Sequence, residues 1–345
     1  MHLNFELSLL DKKTSTTVKG VLILLIILGH NSILMHTQNG DTPILLYRYL
    51  YHFHVYCFLI LPMLYNVPVM TCSRLKKDIS HLFKPYVFLF IALVSYQIIL
   101  GERINPERVF EAFISGNEPL IKGALGASFP WFLPTMFTFL ILRNTLCWRP
   151  KLLKIVFAIS VTVYLLTRVL NVFSLYMFNY FLGCMVALAY FSVGIIVRKI
   201  YLYITQKKEY IKFVHLITVV STVLFFIYYK SNYMELWFSL NAWVIMPISV
   251  FISLLSIIEV TKEFKFMYAL EYLGKITLPI YVFHMFIYNA IVMVIGKLHI
   301  PINCFIGVIA FFLTIGLCLF LIKLLKRFNL YLILFGGTRE IDLKM

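Results

Sequence analysis

The chain has 345 residues, 61% of them hydrophobic and 13% charged, against roughly 45–50% apolar and about 25% charged in an ordinary soluble domain. That gap excludes a water-soluble core, because the chain lacks the polar residues to cover one; the excess apolar surface faces lipid. The formal charge of +16 does not mark a nucleic-acid binder, since the basic residues sit in short loops between apolar runs and read as a topology signal.

Residues 1–17 are polar and mixed, and the first apolar run starts at Val18. No small-residue cleavage site follows it, which predicts a retained span and no signal peptide. At roughly 20 residues per crossing, the apolar runs predict ten helical spans, over 18–36, 50–70, 82–101, 129–147, 155–170, 173–196, 214–230, 237–258, 274–296 and 303–322. The fifth is short, and the turn at Asn171 is tight. With the N-terminus inside, only Arg48, Arg103, Arg108, Lys122, Arg168, Lys230 and Lys297 of the 31 Lys and Arg fall in outer segments. The bias puts both termini in the cytoplasm. The whole chain, 1–345, thus reads as a single all-α domain, a polytopic bundle of about ten helices in the inner (cytoplasmic) membrane of the cell. The longest outer segment, about 102–128, carries Glu102, Glu107, Glu111 and Glu118, polar enough to contact an external ligand. The apolar tail from Phe328 to Phe335 is too short to span and is expected at the inner surface. Six scattered cysteines without a CxxC pair read as small hydrophobes in the membrane core.

Ionisable groups inside spans are costly and tend to be functional. Three histidines stand out: His30 in the first span, His54 in the second and His284 near the middle of the ninth. A lone histidine on a helix is more often a packing residue than a catalyst. His30 differs by its company: Lys19 lies eleven residues earlier, about 16 Å along a helix, or roughly half the bilayer core. A cation at the inner mouth and a base at mid-depth make a polar track. The fifteen acidic residues all fall in loops or near span ends, which weakens a proton-driven transporter. No HxxxH or HxxE pattern places two metal ligands on one helix face, so no metal site is expected. His52 and His54, two apart, point away from each other on a helix.

In this pattern the chain resembles the acyltransferase-3 family, integral membrane enzymes that O-acylate surface glycans and lipids. The family's first helix carries Arg or Lys, ten residues, then His; Lys19 and His30 reproduce that spacing. Phe53-His54-Val55-Tyr56-Cys57-Phe58 resembles its Phe-His and aromatic second helix, and Lys84-Pro85-Tyr86 the Pro-Tyr that opens its third. Pro130-Trp131-Phe132-Leu133-Pro134 is similar to its Trp-Phe-Leu segment. Leu273-Gly274-Lys275, Ile280-Tyr281 and His284 resemble its late Gly-Lys, Ile-Tyr and His pattern. The similarity runs in order along nearly the whole chain.

The resemblance implies an O-acetyltransferase that takes acetyl-CoA or another acyl-CoA as co-substrate, with no permanently bound cofactor. Its acceptor is a hydroxyl of a cell-surface or lipid-linked polysaccharide, with membrane lipids and polysaccharide assembly proteins as further partners. Lys19, Arg74, Lys76 and Lys77 are expected to hold the donor's phosphates. A neutral His30 takes the hydroxyl proton as catalytic base. His54, Asn31, Trp131, Tyr281 and His284 are expected to support the site or bind substrate, with Asn31, Tyr281 or His284 as donors to the developing oxyanion. Two rivals stay open: a lipid-linked glycan flippase or transporter, and a structural partner of a polysaccharide assembly machine.

Overall fold

The computed structural model describes residues 5–35, 45–99, 101–127, 129–174, 179–230 and 236–335. Among these there are helices and turns but no strand, as lipid requires of a chain whose backbone groups must bond within their own segment.

In chain order the helices are α1 (Lys12–His30), α2 (Leu45–Tyr51), α3 (His54–Ile60), α4 (Cys72–Ile99), α5 (Pro106–Ser115), α6 (Glu118–Leu125), α7 (Phe132–Leu146), α8 (Pro150–Val169), α9 (Cys184–Gln206), α10 (Tyr210–Lys230), α11 (Leu236–Thr261), α12 (Lys265–Lys275), α13 (Thr277–Lys297), α14 (Cys304–Arg327) and α15 (Leu330–Phe335). Among the described residues, eight of them (α1, α4, α8, α9, α10, α11, α13 and α14) are long and apolar enough to cross a membrane. They leave large apolar side chains such as Val219, Ile227, Phe312 and Phe320 exposed, faces that only lipid accommodates. The chain is a multi-pass membrane protein.

The expected second and fourth spans are shorter pieces. The second breaks at His52 and Phe53, between α2 and α3, and ends in a 3-10 turn at Leu61–Leu64. No Pro or Gly marks this break; tertiary contacts make it. The His52 ring lies 4.2 Å from that of Trp243, while the His54 ring turns inward and its Nδ1–H bonds back to the Leu50 carbonyl. The fourth is a 3-10 turn at Phe129–Trp131 followed by the 15-residue α7, about 22 Å of helix. The sixth starts later than expected: α9 covers Cys184–Gln206 instead of 173–196, and residues 175–178 of that expected span lie outside the described ones. The third starts earlier, at Cys72, so Arg74, Lys76 and Lys77 sit on α4 and not in a loop.

By its contacts the chain divides into two compact units, one of Met1–Leu7, Pro62–Ile196 and Leu325–Met345, the other of Ser8–Leu61 and Val197–Leu324. In the first, the buried Tyr86 of α4 stacks on Phe113 of α5 at 5.2 Å and donates its hydroxyl to the Phe113 carbonyl, 2.8 Å away. α8 and α9 are joined through Ser160, whose hydroxyl bonds the Leu188 carbonyl and receives the Ser192 N–H. The short α15 docks on α4, with His81 Nδ1–H donating to the Phe335 carbonyl at 3.2 Å.

The second unit is organised around α1, which packs along α12. A Cβ on Gly20 would overlap the Leu270 carbonyl, and one on Gly274 would overlap that of Thr16. Thr16 and Gly20, four apart on α1, and Gly274 on α12 let the backbones touch, the usual device where lipid offers no hydrophobic drive. α10 and α11 share a seam of hydroxyls: Thr218 with Ser253 at 2.8 Å, Ser221 with Ser249 at 3.4 Å, and the Asn241 amide on the Ser221 carbonyl at 2.9 Å.

Candidate active site

The site forms at the C-terminal end of α1, in the second unit. Asp11 caps the opposite end, accepting from the Thr14 N–H at 2.7 Å. From there α1 runs unbroken for 19 residues to His30.

His30 meets the rings of Tyr51 and His284. Its Nδ1 lies 3.2 Å from the Tyr51 hydroxyl, and its ring centre is 5.3 Å from that of His284. Tyr51 in turn stands edge-on to His54, with centres 5.0 Å apart. His54 fits because its neighbour on α1 is Gly29: a Cβ there would come within 3.3 Å of both the His54 Nε2 and the Tyr51 ring. His54 and His284 are fully buried, whereas His30 is half-buried. Of the three imidazoles, His30 is the one a substrate can reach.

Two of the rings have fixed tautomers. The His284 Nδ1 bonds the Tyr281 carbonyl at 2.7 Å, and the His54 Nδ1 bonds the Leu50 carbonyl. A carbonyl only accepts, so Nδ1 carries the proton in each ring and Nε2 is the basic nitrogen. The His30 partner is a hydroxyl, which gives or takes; that ring alone can switch.

Asn31 is fully buried and spends its groups on the scaffold. Its amide donates to the Gly307 carbonyl at 2.8 Å, and its oxygen accepts from the Leu34 N–H at 3.1 Å and the Tyr288 hydroxyl at 3.2 Å. The Tyr288 hydroxyl also accepts from the Ile33 N–H at 3.0 Å and lies 2.9 Å from the Ser32 hydroxyl. This network ties the end of α1 to α13 and α14.

Lys19 is half-buried on α1 beside the close Gly20–Leu270 contact. Below it, Lys262 bridges Asp11 and Glu259, and Lys13 bonds Glu263 at 2.7 Å. Burial pushes the Asp11 carboxyl up, but the bonds from Lys262 and the Thr14 N–H outweigh it and hold it below the usual carboxylate range. The same bond to Asp11, then that to Glu259, holds the Lys262 ammonium above the usual lysine range.

The structure therefore brings His30, His54, His284 and Tyr281 together, with Asn31 beside them. It places Arg74, Lys76, Lys77 and Trp131 in the other unit. There Arg74 pairs with the buried Asp78 at 3.1 Å, Lys76 and Lys77 are exposed, and Trp131 is buried, its carbonyl accepting from the Thr135 hydroxyl at 2.9 Å. Sequence reasoning missed Tyr51 as the partner of His30 and Tyr288 as the hub of the Asn31 network. Spacing held part of the signal: Tyr288 follows His284 by four residues on the same helix face, whereas Tyr51 and His54 lie on either side of a helix break. Among the described residues no three His, Cys, Asp or Glu side chains form a metal-ligand set.

A family model described as an acyltransferase domain matches residues 15–323, nearly the whole chain and all of the His30 cluster. No curated protein and no solved structure matches.

Proposed function

Because the chain belongs to the acyltransferase-3 family, and so is a membrane acyltransferase, we propose that it moves an acetyl group from cytoplasmic acetyl-CoA to a hydroxyl of a cell-surface or lipid-linked polysaccharide. The observation that carries this reading is the His30 cluster: a half-buried imidazole held by a phenol, on the same helix as Lys19 and about 16 Å beyond it. We read the chain as ten spans with both termini in the cytoplasm of the inner membrane, α3 and α7 completing the two shorter crossings.

In this reading Lys19 binds donor phosphates at the inner mouth, with Arg74, Lys76 and Lys77 as further cations. The pantetheine arm carries the thioester up to His30, and the acceptor comes from the outer side. With Nδ1–H donating to the Tyr51 oxygen, Nε2 of His30 is the base. It takes the proton of the acceptor hydroxyl as the oxygen attacks the thioester carbonyl. The C–O bond forms, the C–S bond breaks, and the proton passes to the departing thiolate. Tyr51 holds the ring in the productive tautomer, the part played by the third member of a triad. His284 lies against the His30 ring, 5.3 Å between centres, and the Tyr281 hydroxyl is assigned to the developing oxyanion. Trp131 is assigned to acceptor contacts. No cofactor stays bound through the cycle.

The test compares surface glycans by mass in cells with and without the protein, and follows acetyl-CoA consumption by purified enzyme. Loss of an acetyl-sized increment together with free CoA release is expected. Glycan movement without acetyl-CoA consumption retires the reading in favour of a flippase. Reporters fused near Glu107 and after Lys208 should report outside and cytoplasm respectively.

A further inference from the structure

The first unit contains a hollow that the His30 chemistry does not use. It is lined by the end of α5, the start of α6, and Ser174, Asn179 and Tyr180, and its volume is about 510 Å³. That is within the range of small-molecule sites. Its walls are mixed in an informative way. Tyr180 and Phe110 are aromatic and strongly exposed, 76% and 67%. Glu111 brings an exposed carboxylate, and Ser115 a hydroxyl. Asn179 lines the hollow with only 1% of its surface exposed. Its oxygen accepts from the Val186 N–H at 3.4 Å, but its amide nitrogen is buried with no partner.

An orphaned buried donor destabilises the fold, and native structures keep such groups for a reason. The surrounding backbone is built to hold it. The Leu182 and Gly183 N–H groups bond the last carbonyls of α5, those of Ile114 and Ser115, at 2.8 and 2.9 Å. The crossing needs positive φ at Gly116, Leu182 and Gly183, and a Cβ on Gly183 would overlap Thr135. A leucine at φ +41° is strained. The wall so formed brings a carboxylate, two exposed aromatic side chains and Asn179 to one space.

Aromatic faces take up the C–H faces of sugar rings, and carboxylate and amide groups take up their hydroxyls. We propose that this hollow is the acceptor subsite for an uncharged sugar ring, stacked on Tyr180 and hydrogen-bonded by Glu111 and the Asn179 amide. Among the described residues Glu111 is the one charged group of the lining, so the subsite disfavours uronate rings. The assignment rests on the glycan-acceptor reading above, which puts this face of the protein outside.

The experiment measures binding of oligosaccharides to the full-length protein in lipid nanodiscs without acyl-CoA, so that no catalysis is needed. The probes are de-O-acylated fragments of the producing cell's surface polysaccharide, a neutral glucan hexaose and oligogalacturonate. Tyr180→Ala, Glu111→Gln and Asn179→Asp are compared with the wild type and with His30→Gln. Asn179→Asp keeps the acceptor for Val186 and puts a carboxylate oxygen in place of the amide donor, and Tyr180 and Glu111 are exposed enough to change without unfolding. Each pocket variant should weaken binding of a neutral probe by about three- to tenfold, raise the acceptor KM and leave the acetyl-CoA KM unchanged. His30→Gln should bind glycan like the wild type. Wild-type protein that binds no probe overturns the proposal. So do pocket variants that bind like the wild type but melt earlier, which would make Tyr180 and Phe110 membrane-interface anchors, and so does a preference for oligogalacturonate. Glycan binding that depends on Tyr180 in a protein that never consumes acetyl-CoA leaves the subsite standing and removes the enzyme reading.

Discussion

The two ends of α1 are fastened by opposite chemistry. At the Asp11 end the contacts are ionic: Lys262 with Asp11 and Glu259, and Lys13 with Glu263. At the His30 end the contacts join imidazoles, phenols, an amide and carbonyls. Charge is cheap where water reaches it and expensive at membrane depth. A neutral imidazole is one of the few groups that can wait at depth uncharged and still accept a proton near neutral pH. The difference separates attachment from reaction: one end anchors the helix, and the other keeps a base ready.

The largest test of that separation is His30→Gln. It keeps hydrogen bonding and cannot take the proton, so acyl transfer should fall about 10²–10⁴-fold, with membrane insertion and melting temperature unchanged. Wild-type activity should fall as pH drops through the working pKa of the ring, because the protonated ring cannot act as base. A variant that transfers acetyl at near the wild-type rate breaks the comparison, and His54 or His284 becomes the base.

Gly20→Leu attacks the helix between its ends. The new side chain meets the Leu270 carbonyl, and overpacking of this kind costs about 1–3 kcal/mol or more. A lower melting temperature and less inserted protein should follow, with both ends of α1 affected together. Normal melting behaviour would show that α1 and α12 do not pack as described.

Tyr51→Phe sharpens the assignment at the deep end. Losing one hydrogen bond of about 0.5–1.5 kcal/mol should lower kcat roughly three- to tenfold, leave acetyl-CoA KM unchanged and shift the acidic limb of the pH profile. A fall in stability with kcat intact would make Tyr51 a packing residue only.

Asp11→Asn has the smallest effect. Half-exposed pairs of this kind contribute about 0–1 kcal/mol and are screened by salt. The sign follows from the shifts. Asp11 is depressed when folded, so its contribution is present above the unfolded carboxylate value, about 3.9, and is lost as pH falls through the folded value. Lys262 is raised, so its contribution is complete below about 10.4 and is lost as pH rises through the folded value. Melting curves across pH should show the acidic limb flattened in Asp11→Asn and the neutral range barely moved. Activity loss comparable to His30→Gln would deny that the two ends are separable.

Most of the helices were legible in the sequence because apolar length is a strong local signal, and α10, α13 and α14 lie within a few residues of the expected spans. The break at Phe53 was not: it carries no Pro or Gly, and the ring that His52 meets there, Trp243, is nearly two hundred residues away. α9 was misplaced because residues 171–183 are as apolar as a span, yet the described part is held in turns by positive φ at Asn171, Leu182 and Gly183. In the site, His30, His54 and His284 were legible as ionisable groups in apolar runs. Their mutual arrangement depends on Gly29 and on contacts between α1, α2 and α13, which periodicity does not report. Gly20 and Gly274 read as unremarkable glycines until α12, itself too polar to span, proved to be the helix that α1 rests on.

The unbroken run of α1 has a further consequence. Ten residues of one helix separate Lys19 from His30, so the two are linked by a count and not by an adjustable hinge. Inserting a single residue between them would move His30 by only about 1.5 Å along the axis but swing it by about 100° around it. The base would leave Tyr51 and His284 altogether while Lys19 stayed in place. The interval between cation and base is thus a phase as much as a length, and chains that keep the two residues but change the number between them would present the base to a different wall of the bundle.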